Sequence, residues 1–174
     1  ELRSWGYFYS LKGRTSIKQE HIEVMTIWKD LQKGYALPLD TIKTFYKGVP
    51  KTKHNAVVQR GSIALLDMLA PDAEVNYHEL VKDFGMLAPL DRDAKDIARL
   101  SEEEKLYIAA IERRGESIEG NPRIKLSTIH AMKGGEDDNV AVYLGSTQAF
   151  MEGKNPEDEH RAVSYTHLRA HEKI

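Results

Sequence analysis

The chain has 174 residues, 41% hydrophobic and 30% charged, which is enough for one core or a core with an inserted subdomain and excludes wholesale disorder. Its formal net charge of −2 excludes a histone-like basic binder, so any contact with nucleic acid must come from a local groove or a few placed groups. It contains no cysteine and no apolar run near the roughly 20 residues a membrane span needs, so disulfide frameworks, thiolate metal sites and a membrane partner are not expected.

The chain opens on Glu1-Leu-Arg-Ser-Trp, with neither methionine nor a signal-peptide pattern. This points to a cytoplasmic protein whose chain begins inside a longer one. Residues 5–12 are aromatic-rich, end at Gly13 and read as a strand. Ser16 and Gln19 have the spacing of a capping box. Ile17, Val24, Met25, Trp28 and Leu31 then recur at helical intervals, and Gly34 closes the segment, predicting a helix over 17–33.

Pro38 and Asp40 precede a short apolar helix around 41–47, and Pro50 opens a basic loop. Asn55 is placed to cap a helix over 56–70, where Val57, Val58, Ile63, Leu65, Leu66 and Leu69 supply the apolar surface. Asn76 and Asp91 are placed to cap helices near 77–84 and 92–98. Ser101 with Glu104 forms a second capping box, for a helix running to about Arg114 with glutamates in its first turn and arginines in its last. After Asn121-Pro122 the character changes, and residues 123–129 and 139–145 read as two buried strands around a Gly-Gly loop. A helical block between strand segments predicts an α/β fold with a mostly helical insertion.

The chemistry-bearing stretch is Thr128-Ile-His-Ala-Met-Lys-Gly-Gly-Glu136. A strand would deliver Thr128 and His130 to its C-terminal end, where α/β proteins build their sites. The Thr128 hydroxyl, His130 imidazole and Lys133 charge all suit phosphate. Gly134 and Gly135 allow close backbone approach, and Glu136 is able to accept hydrogen bonds from a sugar hydroxyl. Taken singly, each has a structural alternative: Thr128 extending the strand, Lys133 solvated, Glu136 capping a turn.

In register, these residues resemble motif V of UvrD/Rep-type superfamily-1 DNA helicases, Thr-x-His-x-x-Lys-Gly-x-Glu, with matches at Thr128, His130, Lys133, Gly134 and Glu136. The resemblance implies that Thr128 and His130 contact the DNA backbone and Glu136 the ribose of ATP, with Lys133, Gly134 and Gly135 shaping the loop between. It further implies a partial RecA-like parallel-sheet domain: its start at 1–16, a helical inserted subdomain at 17–122 and its continuation at 123–162. The implied partners are single-stranded DNA and an N-terminal motor domain of the same polypeptide, with ATP and Mg2+ as cofactors of the intact protein.

The family's next motif runs Glu-x-Arg-x-x-x-Tyr-Val-x-x-Thr-Arg-Ala, and its arginine serves as an arginine finger. Here Glu157-Asp-Glu-His-Arg161 leads in, but Arg169 stands four residues after Tyr165 where the pattern has five. One missing residue turns a helical side chain by about 100°. Arg169 is thus an arginine-finger candidate out of register. Residues 163–174 resemble a translated sequencing adapter, the alternative being a diverged motif. This chain also holds no Gly-x-x-x-x-Gly-Lys-Ser/Thr phosphate loop and no strand ending in Asp-Glu, so it is expected to be inactive as an ATPase by itself. The rival expectation is a non-enzymatic, helicase-derived module that binds DNA or protein.

Other groups carry weaker signals. His160, His167 and His171 lie close in sequence without a ligand frame, so no metal site is expected. Lys51, Lys53, His54 and Arg60, near Tyr46, form a basic patch that is either a solvated loop or a DNA contact. Tyr7, Phe8, Tyr9 and Trp28 read as core, with base stacking as the alternative.

Overall fold

The computed structural model describes residues 2–52, 55–128, 130–132 and 139–141. Contacts divide the chain into two compact units, one of residues 1–10 and 14–124, the other of residues 11–13 and 125–174. The architecture is mixed α/β, with a small mixed sheet and several helices. No described helix is long and apolar enough to cross a membrane.

The first unit is built around α1 (Gln19–Gln32), whose buried side is Ile22, Val24, Met25, Ile27, Trp28 and Leu31, together with His21. Trp28 stacks on Phe45 with centroids 6.0 Å apart, meets Tyr77 edge-on at 6.0 Å, and donates its indole N–H to the Arg92 carbonyl at 2.8 Å. Gly34 ends α1 at φ +86°. Its N–H reaches Leu31 O at 3.0 Å and the Tyr35 N–H reaches Asp30 O at 3.2 Å, the paired bonds of a Schellman stop.

The helix begins two residues later than its periodicity predicts. Ser16 does not cap it: its hydroxyl accepts from the Tyr9 N–H at 3.3 Å and lies 2.7 Å from the Tyr107 phenol. Lys18 takes the N-cap position without a side-chain bond.

Next, β3 (Leu37–Pro38) pairs antiparallel with β4 (Glu74–Val75), and α2 (Leu39–Gly48) packs Leu39, Ile42, Phe45 and Tyr46 into the core. The helix expected over 56–70 shrinks to α3 (Ile63–Leu66), and Asn55 caps nothing. Two adjacent buried β-branched residues decide this. Val57 and Val58 run extended, with Val57 N–H bonded to Pro50 O (3.0 Å), Leu87 N–H to Val57 O (2.8 Å), and a bridge from Val58 to Met86.

Asn76 caps α4 (Tyr77–Asp83) as predicted, and the structure adds Glu79 as its capping-box partner. In α5 (Ala94–Ile97) the cap is Asp93 rather than Asp91. The Arg92 carbonyl is committed to Trp28, which holds that residue outside the helix. α6 (Glu102–Arg113) starts at the Ser101/Glu104 box, with Glu102, Glu103 and Glu104 in its first turn and Arg113 in its last.

Tyr107 of α6 donates to Tyr7 O at 2.6 Å, and Gly6 lies so close to this helix that a Cβ there would sit 2.6 Å from Ala110 O. Only glycine fits at that point, and its φ of +71° adds a second reason. The aromatic segment therefore yields a shorter strand than 5–12: β1 is Tyr9–Leu11, joined to β2 (Arg14–Thr15) through Lys12 and Gly13, both at positive φ. That pairing of dihedrals is the right-twisted two-residue turn of tight hairpins.

β5 (Ile124–Leu126) completes a sheet of order β2-β1-β5. In the second unit the Lys12 N–H bonds to Leu126 O at 2.9 Å. The strand predicted over 123–129 stops at Leu126, and its residues are half-buried or exposed rather than buried. Residues 139–141 are exposed and take no regular structure, while 142–145 lie outside the described residues.

Two outcomes follow. Trp28→Phe keeps most of the packing but leaves the Arg92 carbonyl only the longer 3.2 Å bond from the Gln32 side-chain amide, and should lower the unfolding free energy by about 0.5–1.5 kcal/mol, against about 3–5 for Trp28→Ala, measured by urea denaturation. The Glu104 carboxyl is held below its usual value chiefly by the Ser101 backbone N–H it accepts. A carboxyl depressed in this way stabilises the fold above its unfolded value of about 4.5 and loses that contribution as pH falls through the folded value. Glu104→Gln retains a capping acceptor without the charge, so its urea midpoint should fall less between pH 6 and pH 3 than that of the parent.

Candidate nucleic-acid interface

After β5 the chain turns. The Thr128 carbonyl accepts from the N–H groups of Ala131 (3.1 Å) and Met132 (3.2 Å), and the Thr128 hydroxyl also accepts from Ala131 N–H at 3.3 Å. This closes the single 3₁₀ turn His130–Met132. Thr128 is exposed and acts as the cap of that turn, which ends the strand. The hydroxyl oxygen thus serves as an acceptor within the turn.

The expected site therefore divides. Thr128 is placed on an exposed turn, and the backbone of 130 lies in the 3₁₀ turn just after it. Lys133, Gly134, Gly135 and Glu136 lie outside the described residues, as do Arg169 and the whole of 163–174.

The basic patch has clearer geometry. Lys51 and Arg60 line one cleft of about 710 Å3 in the first unit, together with Thr52, Asn55, Asp96, Arg99 and Lys105. Pro50, Ala98 and Leu100 give it an apolar part. Lys53 and His54 lie outside the described residues. Tyr46 takes no part in it: the ring is fully buried, its O–H donates to Phe84 O at 3.0 Å, and burial pushes the phenol far above its usual value.

Arg99 and Lys105 escaped the sequence analysis because they come from the α5–α6 corner, some forty residues downstream of the basic loop. Arg99 is steadied by a 3.0 Å bond from its guanidinium to Val49 O, the backbone just before the loop. Lys105 sits 2.8 Å from both Asp96 and Glu102. The Asp96 hydrogen bond raises the Lys105 ammonium above its ordinary value, and the same bond lowers Asp96. Lys51 and Arg60 have no carboxylate within ion-pair distance among the described residues.

The aromatic candidates line the core or its edge, Tyr9 being half-buried against it. Phe8 and Trp28 are buried, and Tyr7 is covered by the Arg114 guanidinium 3.9 Å above its ring. Among the described residues no group of three His, Asp or Glu side chains is disposed to hold a metal ion. No family model, curated protein or solved structure matches this chain.

Proposed function

We propose that this chain is part of the second, RecA-like motor domain of a UvrD/Rep-type ATP-dependent DNA helicase, with the helical block as an accessory insertion. The observation that carries this is the register of Thr128, His130, Lys133, Gly134 and Glu136, five motif positions at fixed spacing. The exposed position of Thr128 supports it, since a threonine hydroxyl at the surface is a group suited to a phosphate oxygen.

In this proposal Thr128 and His130 bind the sugar-phosphate backbone of single-stranded DNA, and Lys133 with Gly134 and Gly135 shapes the loop that leads to the nucleotide. Glu136 accepts from the ATP ribose. ATP and Mg2+ are held by the N-terminal motor domain, whose phosphate-loop and Asp-Glu sequences this chain does not contain. Arg169, one position out of register, is the arginine-finger candidate. Closure of the two motor domains on ATP would then drive stepping along the strand.

A non-enzymatic, helicase-derived module is the second proposal, favoured by the missing phosphate-loop sequence. A phosphate-loop motif in the upstream coding sequence distinguishes the motor from it.

Two measurements test the assignment. Fluorescence anisotropy with a labelled oligothymidylate at low salt should show weaker binding for Thr128→Ala/His130→Ala than for the parent; equal binding removes the DNA role from this pair. The purified chain should release phosphate from ATP no faster than buffer, with or without single-stranded DNA. Turnover above that background would mean that a nucleotide-holding site exists within these residues.

A further inference from the structure

We propose that the cleft lined by Lys51, Arg60, Arg99 and Lys105 binds the phosphate backbone of a nucleic-acid strand, with Lys51 and Arg60 as its anion-binding groups. The inference rests on the cleft alone and stands independently of the motif at Thr128–Glu136.

Four cations line this cleft, Lys51, Arg60, Arg99 and Lys105, against one lining carboxylate, Asp96. That carboxylate is already engaged by Lys105. Elsewhere in the unit, lysines next to carboxylates are paired, as in Lys29–Glu119, Lys43–Asp67 and Lys95–Glu112. Lys51, Arg60 and Arg99 are left with positive charge that no carboxylate neutralises among the described residues. Uncompensated like charges gathered around one concavity raise its potential and concentrate anions there.

The lining discriminates among anions. Thr52 and Asn55 add neutral hydrogen-bonding groups, and Pro50, Ala98 and Leu100 add an apolar surface. A bare inorganic anion has no use for that surface, whereas a nucleotide unit presents phosphate, sugar hydroxyl and an apolar base face together. The Arg99 guanidinium, tethered at Val49 O, is pre-positioned, which reduces the ordering lost on binding. A volume of about 710 Å3 leaves room for more than one phosphate group. A strand satisfies several separated cations at once, and a single phosphate does not.

The test is Lys51→Glu/Arg60→Glu in the full chain, titrated with a labelled oligothymidylate of fifteen residues (about 15) across a salt series. The control is Lys82→Glu/Arg113→Glu, exposed positions outside the cleft that change the net charge equally. The cleft variant should bind about tenfold or more weakly at low salt, and its log–log salt slope should flatten by about 1.4 for two lost phosphate contacts. The control should stay within about twofold of the parent. Equal loss in both variants would reduce the effect to net charge and overturn the proposal.

Unchanged binding in the cleft variant, with loss in Thr128→Ala/His130→Ala, would also overturn it while leaving the proposed function intact. ATP or inorganic phosphate displacing the oligonucleotide at concentrations comparable to its own would assign the cleft to a free nucleotide or small anion instead. If the glutamates prevent folding, judged by circular dichroism, Lys51→Gln/Arg60→Gln carries the same comparison with a smaller expected change.

Discussion

Everything in the helical unit is arranged around one indole. Trp28 presents one face to Phe45 of α2 and an edge to Tyr77 of α4, and its single polar atom ends on the Arg92 carbonyl ahead of α5. A buried indole N–H must find an acceptor or forfeit its hydration without return, so the backbone at Arg92 is required to bend toward α1. That bend keeps Arg92 out of α5 and leaves Asp93 as the cap.

The helices with local stop and start signals were legible in the sequence. Gly34, Asn76, and Ser101 with Glu104 act on neighbours three or four residues away, and the structure uses each as expected. What could not be read were the places where a distant partner competes for the same atom. Ser16 has the spacing of a cap, but its hydroxyl is claimed by Tyr9 and by Tyr107, 91 residues away. Asn55 precedes a run of apolar residues that suits a helix, yet Val57 and Val58 are both buried and draw the segment into extended pairing with residues 85–88.

The site divides along the same line. Five motif positions in register are a local pattern, visible in sequence, and Thr128 is seen to cap an exposed turn that the strand pattern alone did not foretell. The cleft is a non-local pattern. Lys51 and Arg60 stood out as a basic run, but a run on a solvated loop and a run facing Arg99 read identically until the chain is folded. Net charge gave no help, since a balance of −2 averages out a local excess of cations.

The Tyr107 phenol has a kinetic side as well. It binds Tyr7 O and Ser16 Oγ across separations of 100 and 91 residues, so the last helix of the unit is clasped to its first residues. Closing a loop of that length costs about (3/2)RT ln n, roughly 4 kcal/mol before any constant, and nothing is returned until both partners are in place. Such contacts raise contact order, which across small proteins goes with slower folding. They also bring the two ends of the unit together: Glu116 accepts from the Phe8 N–H at 3.4 Å. A block whose ends meet can be spliced into, or cut out of, a host chain at one point without stretching the host backbone.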